Sequence, residues 1–202
     1  MKTTCLQAVK DAIAAVTQLQ EPHHVSFMVE AANQLALCFE RGNKVIVAGN
    51  GGSLCDAAHF AEEMTGLFRS PRRALPVIAL SEPGHLTCVG NDLGFDQVFA
   101  RGVEAYGKQS DIFVGLTTSG NSPNIVKAFE AASRLGLYTI AFLGKGGGKL
   151  SGFADLEICI NGFSTSDRIQ EAHMAAIHII IELVEKQMFG APQATSYLLS
   201  KS

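Results

Sequence analysis

The 202 residues are 47% apolar and 17% charged, enough apolar matter for one packed domain and too much for a disordered chain. A net charge of −3 and a pI near 6.1 speak against general binding to nucleic acid or to anionic membranes. No apolar run approaches the ~20 residues that cross a bilayer, and residues 1–20 are amphipathic rather than signal-like, so a soluble cytoplasmic protein is expected.

In chain order, Leu6, Val9, Ile13, Val16 and Leu19 recur at helical spacing, and Val25 to Phe39 reads as a second helix. Lys44 to Ala48 is a buried strand, Leu54 to Leu67 a helix and Pro76 to Leu80 a strand. Short helices are predicted over Pro83 to Val89 and Phe95 to Tyr106. A strand at Ile112 to Leu116 empties into a hydroxyl-rich turn and then a helix over Ile125 to Leu135, with Ser122 as N-cap and Pro123 in the first turn. Strands at Tyr138 to Leu143 and Leu156 to Ile160 precede a long closing helix, Arg168 to Phe189. Strands alternating with helices imply an α/β fold: a doubly wound, mostly parallel five-stranded sheet in three layers, with N-terminal helices and the long C-terminal helix. One domain is expected over residues 1–190, followed by a disordered tail at 191–202. The closing helix is apolar almost all round, so a subunit interface is expected to supply part of its cover. The five cysteines, Cys5, Cys38, Cys55, Cys88 and Cys159, include no C-x-x-C pair and read as reduced, buried structural thiols.

The turn Thr117-Thr118-Ser119-Gly120-Asn121-Ser122 brings hydroxyls, free backbone N–H groups and the positive end of a helix dipole together. That is an anion site suited to a phosphate monoester. The first strand–helix turn, Gly49-Asn50-Gly51-Gly52-Ser53, lacks the third glycine of a dinucleotide fingerprint, and Gly144 to Lys149 has neither the spacing nor the hydroxyl of a P-loop. His59 and Glu63, spaced i, i+4, share one helical face and suit either a divalent metal or an acid–base pair. Glu62 points elsewhere. His178 sits among aliphatic residues and needs a partner. Gln170 lies two turns before it, ~12 Å along an ideal axis. His173 is at least as close to Gln170, and spacing does not choose between the histidines. Asn91-Asp92 suits an Asx turn or an acceptor for sugar hydroxyls. His23, His24 and His85 read as structural. Lys127, Lys145, Lys149 and Arg69 to Arg73 read as solvated charge, with a phosphate-facing role open for one arginine.

Taken in order, Gly49 to Ser53, Cys55 to Glu63, Cys88 to Asp92, Thr118 to Ser122 and Asp167 to Glu171 resemble the sedoheptulose-7-phosphate (phosphoheptose) isomerases, which are sugar-isomerase (SIS) domain proteins. The resemblance runs over nearly the whole chain; Thr117 departs from it, where the family often has serine. It implies a homotetramer that interconverts D-sedoheptulose 7-phosphate and D-glycero-D-manno-heptose 7-phosphate at the entry to ADP-heptose and lipopolysaccharide-core synthesis. It implies one zinc per site, on His59, Glu63, Gln170 and His178. Substrate contacts carry over to Asn50, Gly51, Gly52, Ser53, Glu63, Asn91, Asp92, Thr117, Thr118, Ser119, Ser122, Asp167 and Gln170. Glu63 and His178 become the proton-transfer residues of an enediol(ate) mechanism. Two other readings are a non-catalytic SIS regulator that binds the replication initiator, similar in overall pattern, and a phosphosugar sensor that shares the phosphate loop. The regulator lacks counterparts of Glu63 and His178 and tends to place arginine where Ser119 stands.

Overall fold

The computed structural model describes residues 1–190; the expected tail at 191–202 lies outside the described residues. Five strands form one parallel sheet in the order β2-β1-β3-β4-β5: β1 Val45–Gly49, β2 Val77–Ala79, β3 Ile112–Thr117, β4 Tyr138–Gly144 and β5 Leu156–Ile160. Every residue of β1 and β3 is buried, as parallel strands covered on both faces must be. The chain reverses its direction of growth between β1 and β3, which makes their carboxyl ends the switch point where α/β sheets take ligands. Gly49 faces Leu116 in that ladder, so Asn50 and Thr117 leave the sheet side by side.

Seven helices flank the sheet among the described residues: α1 Lys2–Thr17, α2 Pro22–Glu40, α3 Gly52–Thr65, α4 Pro83–Asp92, α5 Val98–Tyr106, α6 Pro123–Arg134 and α7 Ser166–Phe189. On one face α2, α3 and α7 pack through Phe27, Leu35, Phe60, Met64 and Ile177 onto Val114 and Phe142. On the other, α5 and α6 pack through Phe99, Val103, Ile125 and Phe129 onto Ile46 and Phe113. The three-layer architecture expected from the sequence is present.

Within the chain α1, α2 and α3 all pack on α7, while Ile179 and Phe189 stay 38% and 37% exposed. A larger apolar surface is left open on α1, which buries only Ala15 and exposes Leu6, Val9 and Ile13 by 63%, 52% and 61%. Of the cysteines, Cys38 alone is buried, while Cys5, Cys55 and Cys88 are exposed; three of them sit on outward positions of helices, which composition cannot distinguish from inward ones. Burial pushes the Cys38 thiol up to about 12. No helix among the described residues is long and apolar enough to cross a membrane.

Candidate active site

Two loops meet at the switch point. After β1, Gly51 takes φ +55° as the N-cap of α3, a conformation that favours glycine. After β3, the turn closes at Gly120, whose φ is +63° and whose added Cβ would lie 1.7 Å from the Gly147 carbonyl oxygen; no side chain fits there. Ser122 stands at the N-cap of α6 with Pro123 in the first turn, as expected, yet its side chain makes no capping bond. The hydroxyl lies 3.4 Å from Thr117 Oγ1, free to meet a ligand. Thr118 Oγ1 is 2.9 Å from Ser166 Oγ, which brings the N-terminus of α7 to the same turn. Ser119 Oγ accepts from Asn121 N at 3.2 Å. An open pocket of about 550 Å³ runs between Asn50, Gly51, Ser122, Pro123 and Asn124 on one side and Phe95 and Asp96 on the other.

Asn124 was not foreseen. It is buried and exchanges two hydrogen bonds of 2.9 Å with Asn50, so one amide pair joins the two loops. An asparagine in the first turn of a helix reads locally as a capping residue, and its partner 74 residues away is invisible to any local pattern. The side chain expected to contact substrate at Asn50 is therefore already engaged by Asn124.

Deeper along α3, His59 Nε2 lies 3.0 Å from His178 Nε2 on α7 and 3.5 Å from Glu63 Oε1. Ligand atoms of His59, Glu63 and His178 all lie within 4.8 Å of one another. The histidine left undecided by spacing is decided here, because His173 is wholly buried elsewhere, with its Nε2 2.8 Å from the Leu143 carbonyl. Burial holds the His178 imidazole below its ordinary range, His59 adds to this and Glu63 opposes it. Phe68 stacks on the ring at 5.7 Å.

Glu62 does not point away. Although 64% exposed, it brings Oε1 to 3.2 Å from His59 Nδ1, the arrangement in which a carboxylate orients a metal-binding imidazole. Two imidazole nitrogens and a carboxylate suit zinc. Tetrahedral bonds of ~2.0 Å want the nitrogens about 3.3 Å apart, close to the 3.0 Å present. Gln170 turns to the start of α3: its Nε2 donates to Ser53 Oγ at 3.2 Å, and its carboxamide covers Gly52 so closely that a Cβ there would meet it at 2.7 Å. Asp56, three residues before His59, has a buried Oδ2 without a hydrogen-bond partner. Burial pushes its carboxyl up to about 6, with His59 pulling the other way.

Asn91 and Asp92 end α4 rather than forming a turn; Asn91 Nδ2 donates to Asp92 Oδ1 at 2.7 Å, and both side chains are exposed. Asp167 opens α7 and pairs with Arg168 at 3.0 Å; hydrogen bonds from Thr165 and Arg168 bring its carboxyl down to about 2. Among the arginines expected to be solvated, Arg72 is fully buried against Glu185.

The SIS domain model matches residues 7–144. A phosphoheptose isomerase of Fusobacterium nucleatum is 58% identical over 160 residues, covering 79% of this chain and 82% of its own. One from Vibrio cholerae is 54% identical over 170 residues, covering 84% and 89%. The chain belongs to the phosphoheptose isomerase family of SIS-domain enzymes. A solved family member from Francisella tularensis superposes with a TM-score of 0.86 at 33% identity, covering 91% of this chain and 97% of its own. Another, from Neisseria gonorrhoeae, gives 0.84 at 34% identity, covering 92% and 98%.

Proposed function

We propose that this chain interconverts D-sedoheptulose 7-phosphate and D-glycero-D-manno-heptose 7-phosphate. The observation that carries the reading is the convergence of Glu63, His59 and His178, the two histidines lying 119 residues apart in sequence, in a chain that also carries a hydroxyl turn at the sheet's switch point. The Thr117 to Ser122 turn grips the phosphate and sets the register of the sugar; Asn50, Gly51, Gly52, Ser53, Asn91, Asp92, Asp167 and Gln170 complete the proposed substrate contacts. Glu63 removes the proton from C1 of the ketose and returns it to C2, while His178 passes the hydroxyl proton from O1 to O2. The intermediate is an enediolate, and no redox step arises. His59, Glu63, His178 and Gln170 are the proposed zinc ligands; when bound, zinc acts as a Lewis acid toward the sugar oxygens. Glu63 Oε1 is the oxygen nearest the imidazoles, which leaves Oε2 for the carbon-bound proton.

The exposed Leu6, Val9, Ile13 and Val16 stripe of α1, spaced like a coiled-coil seam, supports assembly into the homotetramer. A cytoplasmic enzyme supplying ADP-heptose for the lipopolysaccharide core completes the reading. The test is aldose formation from sedoheptulose 7-phosphate by the purified chain, with and without chelator. Turnover that falls on chelation and returns with zinc is expected. Glu63→Gln and His178→Gln, each folded as wild type, should lose ~10²–10⁴-fold in kcat. No turnover after zinc repletion overturns the reading, and near-normal kcat in either variant overturns its assignment.

A further inference from the structure

Arg72 and Glu185 form an ion pair with side chains 0% and 6% exposed and 2.7 Å between Nε and Oε1. A buried ion pair does little for stability compared with a well-packed apolar pair, so its presence calls for another reason. The remaining donors of the guanidinium supply one. Arg72 Nη2 donates to the Glu63 carbonyl at 2.7 Å and Nη1 to the Met64 carbonyl at 2.8 Å. These are among the last carbonyls of α3, which have no partner within their helix and favour a cation at that end. Glu185, in turn, stands two turns beyond His178 on α7, on nearly the same face, and its Oε2 accepts from the backbone N of Arg69 at 3.3 Å. The segment so held carries Phe68, the ring stacked on His178.

We infer that Arg72 and Glu185 are positioning residues: a guanidinium clasp that ties the final turn of α3 to α7 and thereby sets Glu63 and His59 against His178. The inference rests on the roles proposed above for those three residues. Lysine cannot substitute, because a point ammonium does not offer donors in a fork to a carboxylate and two carbonyls together.

The experiment compares wild type with Arg72→Lys and with the Arg72→Met/Glu185→Met double variant, in which an apolar pair fills the same space. Melting temperature, zinc affinity by competition with a chromogenic chelator, and kcat and KM for sedoheptulose 7-phosphate are measured. The double variant should stay folded but melt below wild type, because the Glu63 carbonyl and the Arg69 N–H lose their partners, and it should bind zinc ~10–100-fold more weakly. Its kcat should fall by ~10–100-fold, with KM changed by less than about threefold because the phosphate turn is untouched. Arg72→Lys should shift the same way, and it carries the test if the double variant does not fold. Wild-type zinc affinity and kcat in a folded variant, or losses that only track the unfolded fraction, overturn the inference. A wild-type chain that neither binds zinc nor turns over the sugar overturns the functional reading alone. The positioning is then read from the His59–His178 separation in crystals of the variants, and an unchanged separation overturns it.

Discussion

His173 and His178, five residues apart on α7, put the same imidazole to different uses. His173 is wholly buried; desolvation brings it down to about 4, against a smaller opposing effect of the Leu143 carbonyl. Its contribution to stability has a definite sign. Between pH 6.5 and 4 the unfolded chain takes up a proton that the folded chain refuses, so stability is complete above pH 6.5 and falls as pH drops through that window. The full shift corresponds to about 3 kcal/mol. His173→Gln keeps a donor for the Leu143 carbonyl and removes the titration. Urea unfolding from pH 7 to pH 4 should therefore show a smaller loss in the variant than in wild type, and equal losses would refute the burial argument. His178 is only half-buried, and its neighbours His59, Glu63 and Phe68 come from one other helix and the loop that follows it.

Among the elements, the two strand–helix loops were the most legible. Hydroxyl and glycine content named both, and the Ser122-Pro123 helix start was found where it was expected. What local pattern could not supply was the tie between them. Asn50 and Asn124 meet only because β1 and β3 are neighbours in the sheet, and no spacing within either loop encodes that. The same limit hid Arg72, which sits in an arginine-rich loop that reads as solvated until α7 is laid over it. Glu62 was misjudged for a smaller reason: a residue three positions from His59 can reach the ring's second nitrogen even when its helix face is open to water. The Asn pair gives a prediction at this scale. Asn124→Ala leaves Asn50 without its partner and should cost ~1–3 kcal/mol, read as a lower melting temperature. It should also raise KM severalfold, because the phosphate turn loses its anchor. An unchanged KM in steady-state assays would show that the turn holds its shape without the tie.

For the whole molecule, the fold class followed from alternation of apolar runs, but the placement of its outward apolar surface did not. The roundly apolar α7 takes much of its cover from α1, α2 and α3, whereas α1, with an ordinary amphipathic pattern, presents that pattern to the outside. A sixteen-residue helix with so little buried is marginal by itself, and a second copy of the chain would give it a partner surface. Ile13→Glu lies on this stripe, at a position 61% exposed. Light scattering should show a smaller species than wild type, and a variant of unchanged mass would remove α1 from the interface.

The pairing of His59 with His178 also bears on biosynthesis. His59 leaves the ribosome 119 residues before His178, so a polypeptide that stops short of α7 holds half of the constellation. On the zinc assignment proposed above, capture by the trio waits until α7 has docked, and fragments that lack α7 cannot complete the site.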